Sequence, residues 1–170
     1  MEKLIIVEYE EKYQDDLKRL SYEWLEKYLL LEPEDEKILN NPKEVVLDNG
    51  GYISFVKYGE EVVGTVSLIK VDKNTFELAK LAVTETHQGL GIGKMLIEKC
   101  LYIAKQKNAN RIILYSNHIL TSAIVLYKEF EFKETPIVNN KYIESDLKME
   151  LELYFSYETN YYLWTQKCPT

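Results

Sequence analysis

The segment Gln88-Gly89-Leu90-Gly91-Ile92-Gly93-Lys94 constrains this chain more than any other. Glycine spaced at every second position suits neither a helix interior nor a strand, so the backbone turns here. Before it lies Thr75 to Val83, a strand-like run. After it, Ile92, Leu96, Cys100, Ile103 and Ala104 share one helical face, opposite Lys94, Glu98 and Lys105. A helix that opens on glycines offers unpaired N–H groups and partial positive charge at close range. Such a terminus seats a phosphate without any arginine.

Spacing separates the phosphate cradles. A Walker A loop needs glycine five residues before Gly93 and Ser or Thr after Lys94; Gln88 and Met95 stand there. A dinucleotide fingerprint needs glycine at Lys94, an acidic end to the next strand rather than Tyr115-Ser116-Asn117, and a place after the first strand. Both fail on more than one count.

The rest of the chain alternates between the two periods. Leu4 to Tyr9 reads as a strand, and Glu11 to Leu31 as a helix with Leu17, Leu20, Trp24 and Tyr28 on its apolar face. Glu34 to Leu39 and Lys43 to Leu47 are shorter helical pieces, closed by the turn Asn49-Gly50-Gly51. Tyr52 to Tyr58, Val62 to Val71 and Thr75 to Val83 form a meander of strands. Beyond the central helix come the strand Arg111 to Tyr115, the helix Ser122 to Phe130, and the strands Phe132 to Val138 and Asp146 to Leu153. The order predicts an α/β (α+β) fold: a mixed sheet with helices on both faces.

Composition narrows the function. With 170 residues, 46% of them apolar, the chain is one ordinary domain with a sizeable core. Net charge is −7 and only Arg19 and Arg111 are arginines, so nucleic acid is not an expected partner. No apolar run approaches the ~18 residues of a membrane span, and Met1 to Val7 is too short and too soon acidic for a signal peptide. Cys100 and Cys168 make neither a disulfide framework nor a metal site. The composition therefore reads as a soluble, cytoplasmic chain, with no metal expected.

Gln88, Gly91 and Gly93 match the Q-x-x-G-x-G acyl-CoA motif of the GNAT superfamily of N-acyltransferases. Leu78-Ala79-Lys80-Leu81-Ala82-Val83 resembles the family's fourth strand, and Asn117 its pantetheine-contacting asparagine. Ala123-Ile124-Val125-Leu126-Tyr127-Lys128 resembles its last helix. The resemblance runs from about Leu4 to Leu153. It implies a mostly antiparallel sheet of about seven strands with a splayed gap between strands 4 and 5. It departs at Glu131, where the family usually has glycine.

The resemblance also implies an activity: transfer of acetyl from acetyl-CoA to a primary amine, by direct attack in a ternary complex. Backbone groups at Leu81, Ala82 and Val83 would line the pantetheine arm. Gln88, Gly89, Leu90, Gly91, Ile92, Gly93 and Lys94 would hold the pyrophosphate, and Asn117 the arm. Tyr127 would protonate the leaving thiolate, or else simply fill the core. Glu77 would be the base, or else a solvent-facing strand residue beside a water chain. Gly64 marks a bulge or a close approach to the acceptor. The acceptor itself is shaped by residues Trp24 to Leu47 and Asn139 to Ser145, with Tyr28, Glu32, Glu34 and Tyr142 as candidate contacts for a cation, or else ordinary surface residues. The alternative is a CoA-binding sensor or interaction module with little catalytic activity.

Residues 1–155 are expected to form the catalytic domain, with 156–170 as an aromatic tail. Six aromatic residues lie in Tyr154 to Trp164. That is rich for a solvated tail, so it is expected to pack on its own domain or across a homodimer contact.

Overall fold

A computed structural model describes residues 2–28 and 30–154. The expectation for the aromatic tail falls almost wholly outside these residues.

Among the described residues, seven strands form one sheet in the order β1-β2-β3-β4-β5-β7-β6. They are β1 (Leu4–Glu8), β2 (Tyr52–Tyr58), β3 (Glu61–Lys70), β4 (Thr75–Val83), β5 (Arg111–Ser116), β6 (Lys133–Thr135) and β7 (Leu147–Glu152). The α-helices that accompany them are α1 (Gln14–Lys27), α2 (Pro33–Asn40), α3 (Ile92–Gln106) and α4 (Thr121–Glu129). Every neighbouring pair is antiparallel except β4 and β5, which run parallel. A parallel pair needs a crossover, and α3 supplies it.

The core divides by face. Leu96, Ile97, Cys100 and Ala104 of α3 pack with Val63, Leu78, Ile112 and Leu114 of the sheet. Leu17 and Leu20 of α1 and Ile38 and Leu39 of α2 pack with Ile53, Phe55 and Ala82 on the other side. Each fully buried Leu or Ile here contributes roughly 1.5–3 kcal/mol of transfer free energy. Gly64 is where the close packing shows: a Cβ there would lie 2.6 Å from Ile92 Cγ2. The approach that glycine permits is therefore by the first residue of α3, not by an acceptor.

The largest shifts of expected boundaries fall in β6 and α1, and α1 ends at Lys27 rather than Leu31. The strand expected from Phe132 to Val138 shrinks to Lys133–Thr135. Pro136 has no N–H to donate to the ladder and ends the pairing. The helix expected from Glu11 begins as one tight turn, Glu11–Tyr13, before α1.

Glu131 takes the left-handed conformation the family's glycine would take, with φ +68. Its N–H donates to Lys128 O at 3.0 Å, and the Phe132 N–H donates to Tyr127 O at 3.1 Å. These two bonds make a Schellman ending for α4, and Phe132 packs its ring 5.9 Å from that of Tyr127. The turn thus keeps its ordinary place in spite of the missing glycine.

Candidate active site

β4 and β5 pair only at Thr75↔Arg111, Phe76↔Ile112 and Glu77↔Ile113. Both strands then continue, to Val83 and Ser116, without pairing with each other. The parting has a local cause. From Thr65↔Ala82 to Ser67↔Ala79, β3 advances two residues while β4 advances three. The extra residue is a bulge. Within it Lys80 has φ +55.

The opening is a cavity of about 740 Å³, within the range of small-molecule sites. Leu81, Ala82 and Val83 line one wall; Tyr115, Ser116 and Asn117 line the other. Thr84 N–H donates to Val63 O on β3 at 2.9 Å, so the Val83 carbonyl and N–H turn away from β3, into the cleft. Trp24 of α1 already uses that carbonyl, donating its indole N–H at 3.1 Å. Glu23 accepts from the Glu85 N–H at 2.9 Å and from the Thr84 hydroxyl at 3.2 Å, and Lys27 pairs with Glu85. The C-terminal half of α1 thereby fixes the end of β4.

At the mouth of the cleft stands the glycine turn. Gln88, Gly89, Gly91, Ile92, Gly93 and Lys94 line the cavity. Leu90 does not; its side chain is half exposed. Gly89 and Gly91 have φ +78 and +79, and a Cβ on either would meet nothing within 4 Å. Space is therefore open in front of the turn. The first bond of α3 is Met95 N–H to Gly91 O at 3.0 Å. The N–H groups of Ile92, Gly93 and Lys94 have no intrahelical acceptor and face that space with the positive end of the helix dipole. A Cβ at Gly93 would touch Leu126 Cδ2 at 3.0 Å, so this glycine serves the packing of α3 on α4. The turn fits a pyrophosphate on these grounds.

Tyr127 lies on the cavity wall and is 6% exposed. Burial, and secondarily Cys100, pushes its phenol above the ordinary tyrosine range. Cys100 is itself pushed up to about 12 by burial, so both groups stay protonated at neutral pH. Asn117 lines the cleft, but its amide already has partners. Nδ2 donates to Glu144 O at 2.6 Å, and Oδ1 accepts from the Ile119 N–H at 3.0 Å. His87 reaches the cavity wall, whereas His118 pairs with Asp146 at 3.0 Å on the surface.

Glu77 is 2% exposed, which removes the solvent-facing reading. Its Oε1 accepts from the Tyr142 hydroxyl at 2.8 Å, and its Oε2 lies 2.7 Å from Lys141 Nζ. The loop bearing both partners is tied down elsewhere: the Ile143 N–H donates to Glu32 Oε2 at 2.6 Å. Asp35 accepts from the Glu32 N–H at 3.1 Å and pairs with Lys80, both side chains buried. Lys80 Nζ sits 5.5 Å from the centroid of the Tyr142 ring. Burial first, then the charge and hydrogen bond of Glu77, push the Tyr142 phenol well above its ordinary range. Glu32 and Tyr142 are buried walls, which removes their surface reading. The sequence places Trp24 and Asp35 only within the stretch expected to shape the acceptor, Lys80 only within the fourth strand, and Ser21 in no site at all. The Ser21 hydroxyl is buried, lines the cavity, and has no hydrogen-bond partner among the described residues.

Among the described residues no group of three His, Cys, Asp or Glu could hold a metal ion, and no helix is long and apolar enough to cross a membrane.

Comparison with known proteins agrees with this geometry. A GNAT-family acetyltransferase from Staphylococcus aureus superposes with a TM-score of 0.81 at 24% identity, covering 89% of this chain and all of that one. A Bacillus subtilis acetyltransferase solved with CoA gives 0.68 at 22% identity, with 89% and 100% coverage. A Salmonella typhimurium structure solved with its cofactor acetyl-CoA gives 0.71 at 14% identity, with 89% and 94% coverage. Among curated proteins, rat N-acetyltransferase 8B is 30% identical over 98 residues, 55% of this chain and 44% of the relative. The chain thus matches less than half the length of that relative. The family model for the acetyltransferase (GNAT) family matches residues 2–132. With its bulged fourth strand, parted β4 and β5 and glycine turn at α3, the chain belongs to the GNAT acetyltransferase family.

Proposed function

We propose that this protein transfers the acetyl group of acetyl-CoA to a primary amine. One observation carries the reading: the glycine cradle, the cleft between β4 and β5, and the buried Glu77 line one continuous cavity. Acetyl-CoA supplies an activated thioester, and the chain supplies position, charge and protons. The N–H groups of Ile92, Gly93 and Lys94 bind the pyrophosphate at the open face of the turn. Leu81, Ala82 and Val83 offer backbone groups along the parted strand, and a backbone N–H there supports the carbonyl oxygen as charge develops. Asn117 holds the loop at the far wall through Glu144, which makes its part in arm binding one of shape as much as of direct contact.

Glu77 accepts the amine's proton. It is buried away from bulk water, the Tyr142 hydroxyl holds one oxygen in place, and the other already receives an ammonium, that of Lys141, at 2.7 Å. Tyr127, protonated and on the cleft wall, supplies the proton to the departing sulfur. The acceptor enters between the loop at residues 139–145 and the turn before α2. Glu32, Asp35, Glu77 and Lys80 line the cavity with aromatic Trp24, Tyr115 and Tyr142. Lys80 holds Asp35 and Lys141 holds Glu77, so the aromatic faces, and the Glu77 carboxylate once Lys141 gives way, favour a cation with an apolar body.

Thiol release from acetyl-CoA across a panel of primary amines tests this reading. Release that depends on an amine supports it. Tight CoA binding with no amine accelerating release would point instead to a CoA-binding sensor.

A further inference from the structure

Lys141 brings a primary amine of the chain itself to the proposed base. Its Nζ stands 2.7 Å from Glu77 Oε2 and 5.0 Å from the centroid of the Tyr142 ring. Its side chain is 42% exposed, while that of Glu77 is 2% exposed. An outward-rooted lysine thus reaches inward to a buried carboxylate, the arrangement an incoming acceptor ammonium would need. Other paired lysines differ. Lys43 and Lys12 meet carboxylates at the surface, with side chains 72% and 62% exposed. Lys80 is enclosed by Asp35 and the Tyr142 ring, with its side chain 8% exposed and no room to turn.

We propose that Lys141 is an acetylation site which the protein modifies in cis, with acetyl-CoA as the donor and Glu77 as the base. The inference rests on the acetyltransferase reading above and adds to it a substrate within the chain. The step balances. The Lys141 ammonium gives one proton to Glu77 Oε2. The freed nitrogen lone pair forms an N–C bond to the thioester carbonyl carbon, and the C–S bond breaks. The nitrogen's second proton passes to the departing sulfur, through Tyr127 or water. The products are Nε-acetyl-Lys141 and CoA, and Glu77 returns its proton to solvent. The acetylated side chain has no charge, so its ion pair with Glu77 is lost.

The test needs no external acceptor. The full chain is incubated with isotopically labelled acetyl-CoA, and acetylated lysines are mapped by peptide mass spectrometry over time. Lys141 should be labelled at least about tenfold faster than the more exposed Lys43 and Lys12, a difference of about 1.4 kcal/mol in barrier. The rate constant should not change with protein concentration, and Gly91→Glu and Glu77→Gln should each lower it at least tenfold (~1.4 kcal/mol). Melting curves check that both variants fold; if Glu77→Gln does not, Gly91→Glu and the concentration series decide alone. Labelling of Lys141 no faster than Lys43, or equal labelling in Gly91→Glu, overturns the inference. CoA binding and thiol release to free amines without a mark on Lys141 would overturn it and leave the proposed function standing. Failure to bind CoA at all would sink both.

Discussion

The hydroxyl of Tyr142 donates to Oε1 of Glu77 at 2.8 Å, although 65 positions separate the two residues in sequence. This bond joins the loop between β6 and β7 to the middle of the sheet. It also holds in place the carboxylate proposed as the base. Most of what distinguishes this site depends on that closure.

Its energetic worth is open to measurement. Tyr142→Phe keeps the ring and leaves a buried carboxylate oxygen without its donor, which should cost about 1–3 kcal/mol. In a domain of this size that lowers Tm by several degrees. A melting temperature unchanged within error would mean that the bond is not formed in solution.

The pH dependence has a definite sign. Tyr142 and Tyr127 have folded-state pKa values above the ordinary phenol value of about 10. A raised value means the folded state favours the protonated phenol. Their contribution is complete below pH about 10 and is lost as pH rises above it, because the unfolded chain ionises first. Tm should therefore fall steeply above pH about 10, and less steeply in Tyr142→Phe. Parallel alkaline limbs in the two proteins would count against the burial of Tyr142.

The buried pair of Lys80 and Asp35 makes a second stability test. Lys80→Met leaves Asp35 charged and unpaired, at a cost of about 3–5 kcal/mol. Adding Asp35→Asn removes that charge while keeping an acceptor for the Glu32 N–H. Denaturant titrations should show the double variant more stable than Lys80→Met alone. The reverse order would contradict the burial of this pair.

Glu131 offers a gain. A non-glycine residue in the left-handed region costs roughly 1–2 kcal/mol, and Glu131 occupies it at φ +68. Glu131→Gly removes that strain but makes the unfolded chain more flexible, for a net stabilisation of about 1 kcal/mol. Calorimetry should show Tm rising by about 2–4 °C.

Tyr127→Phe addresses the chemistry. If its hydroxyl protonates the departing sulfur, turnover falls by about 10²-fold. CoA affinity should change little, because the ring and its contact with Phe132 are retained. Turnover within about twofold of the unsubstituted protein would reduce Tyr127 to packing.

The parts of this molecule that were legible in its sequence are those set by local rules. The glycine turn is one, since three glycines before an amphipathic face leave the backbone little choice. The helix α3 and the meander β2-β3-β4 are others, because period alone separates them. What escaped was long-range or polar. Lys80 reads only as one residue of the fourth strand; the bulge and a partner 45 positions away, Asp35, enclose it. Tyr142 and Glu32 keep a surface reading because nothing local shows that one loop will close over both. Gly64 reads as a bulge or a close approach to the acceptor; the bulge is there, where the pairing passes from Val56↔Gly64 to Lys57↔Val62, and the close approach is by Ile92 of another element. The overlong last but one strand has a plainer reason: Pro136 marks its end in the sequence itself.

Whether the turn at α3 holds CoA decides all the rest. Calorimetric titration of CoA into the unsubstituted protein and into Gly91→Glu addresses it without intermediaries. The glutamate would enter the open space before the turn and set a like charge against the pyrophosphate, in a backbone with φ +79. A pyrophosphate cradle at this turn predicts binding to the unsubstituted protein and a loss of at least about tenfold, 1.4 kcal/mol, in a variant that still melts cooperatively. Equal affinity for the two proteins would contradict it.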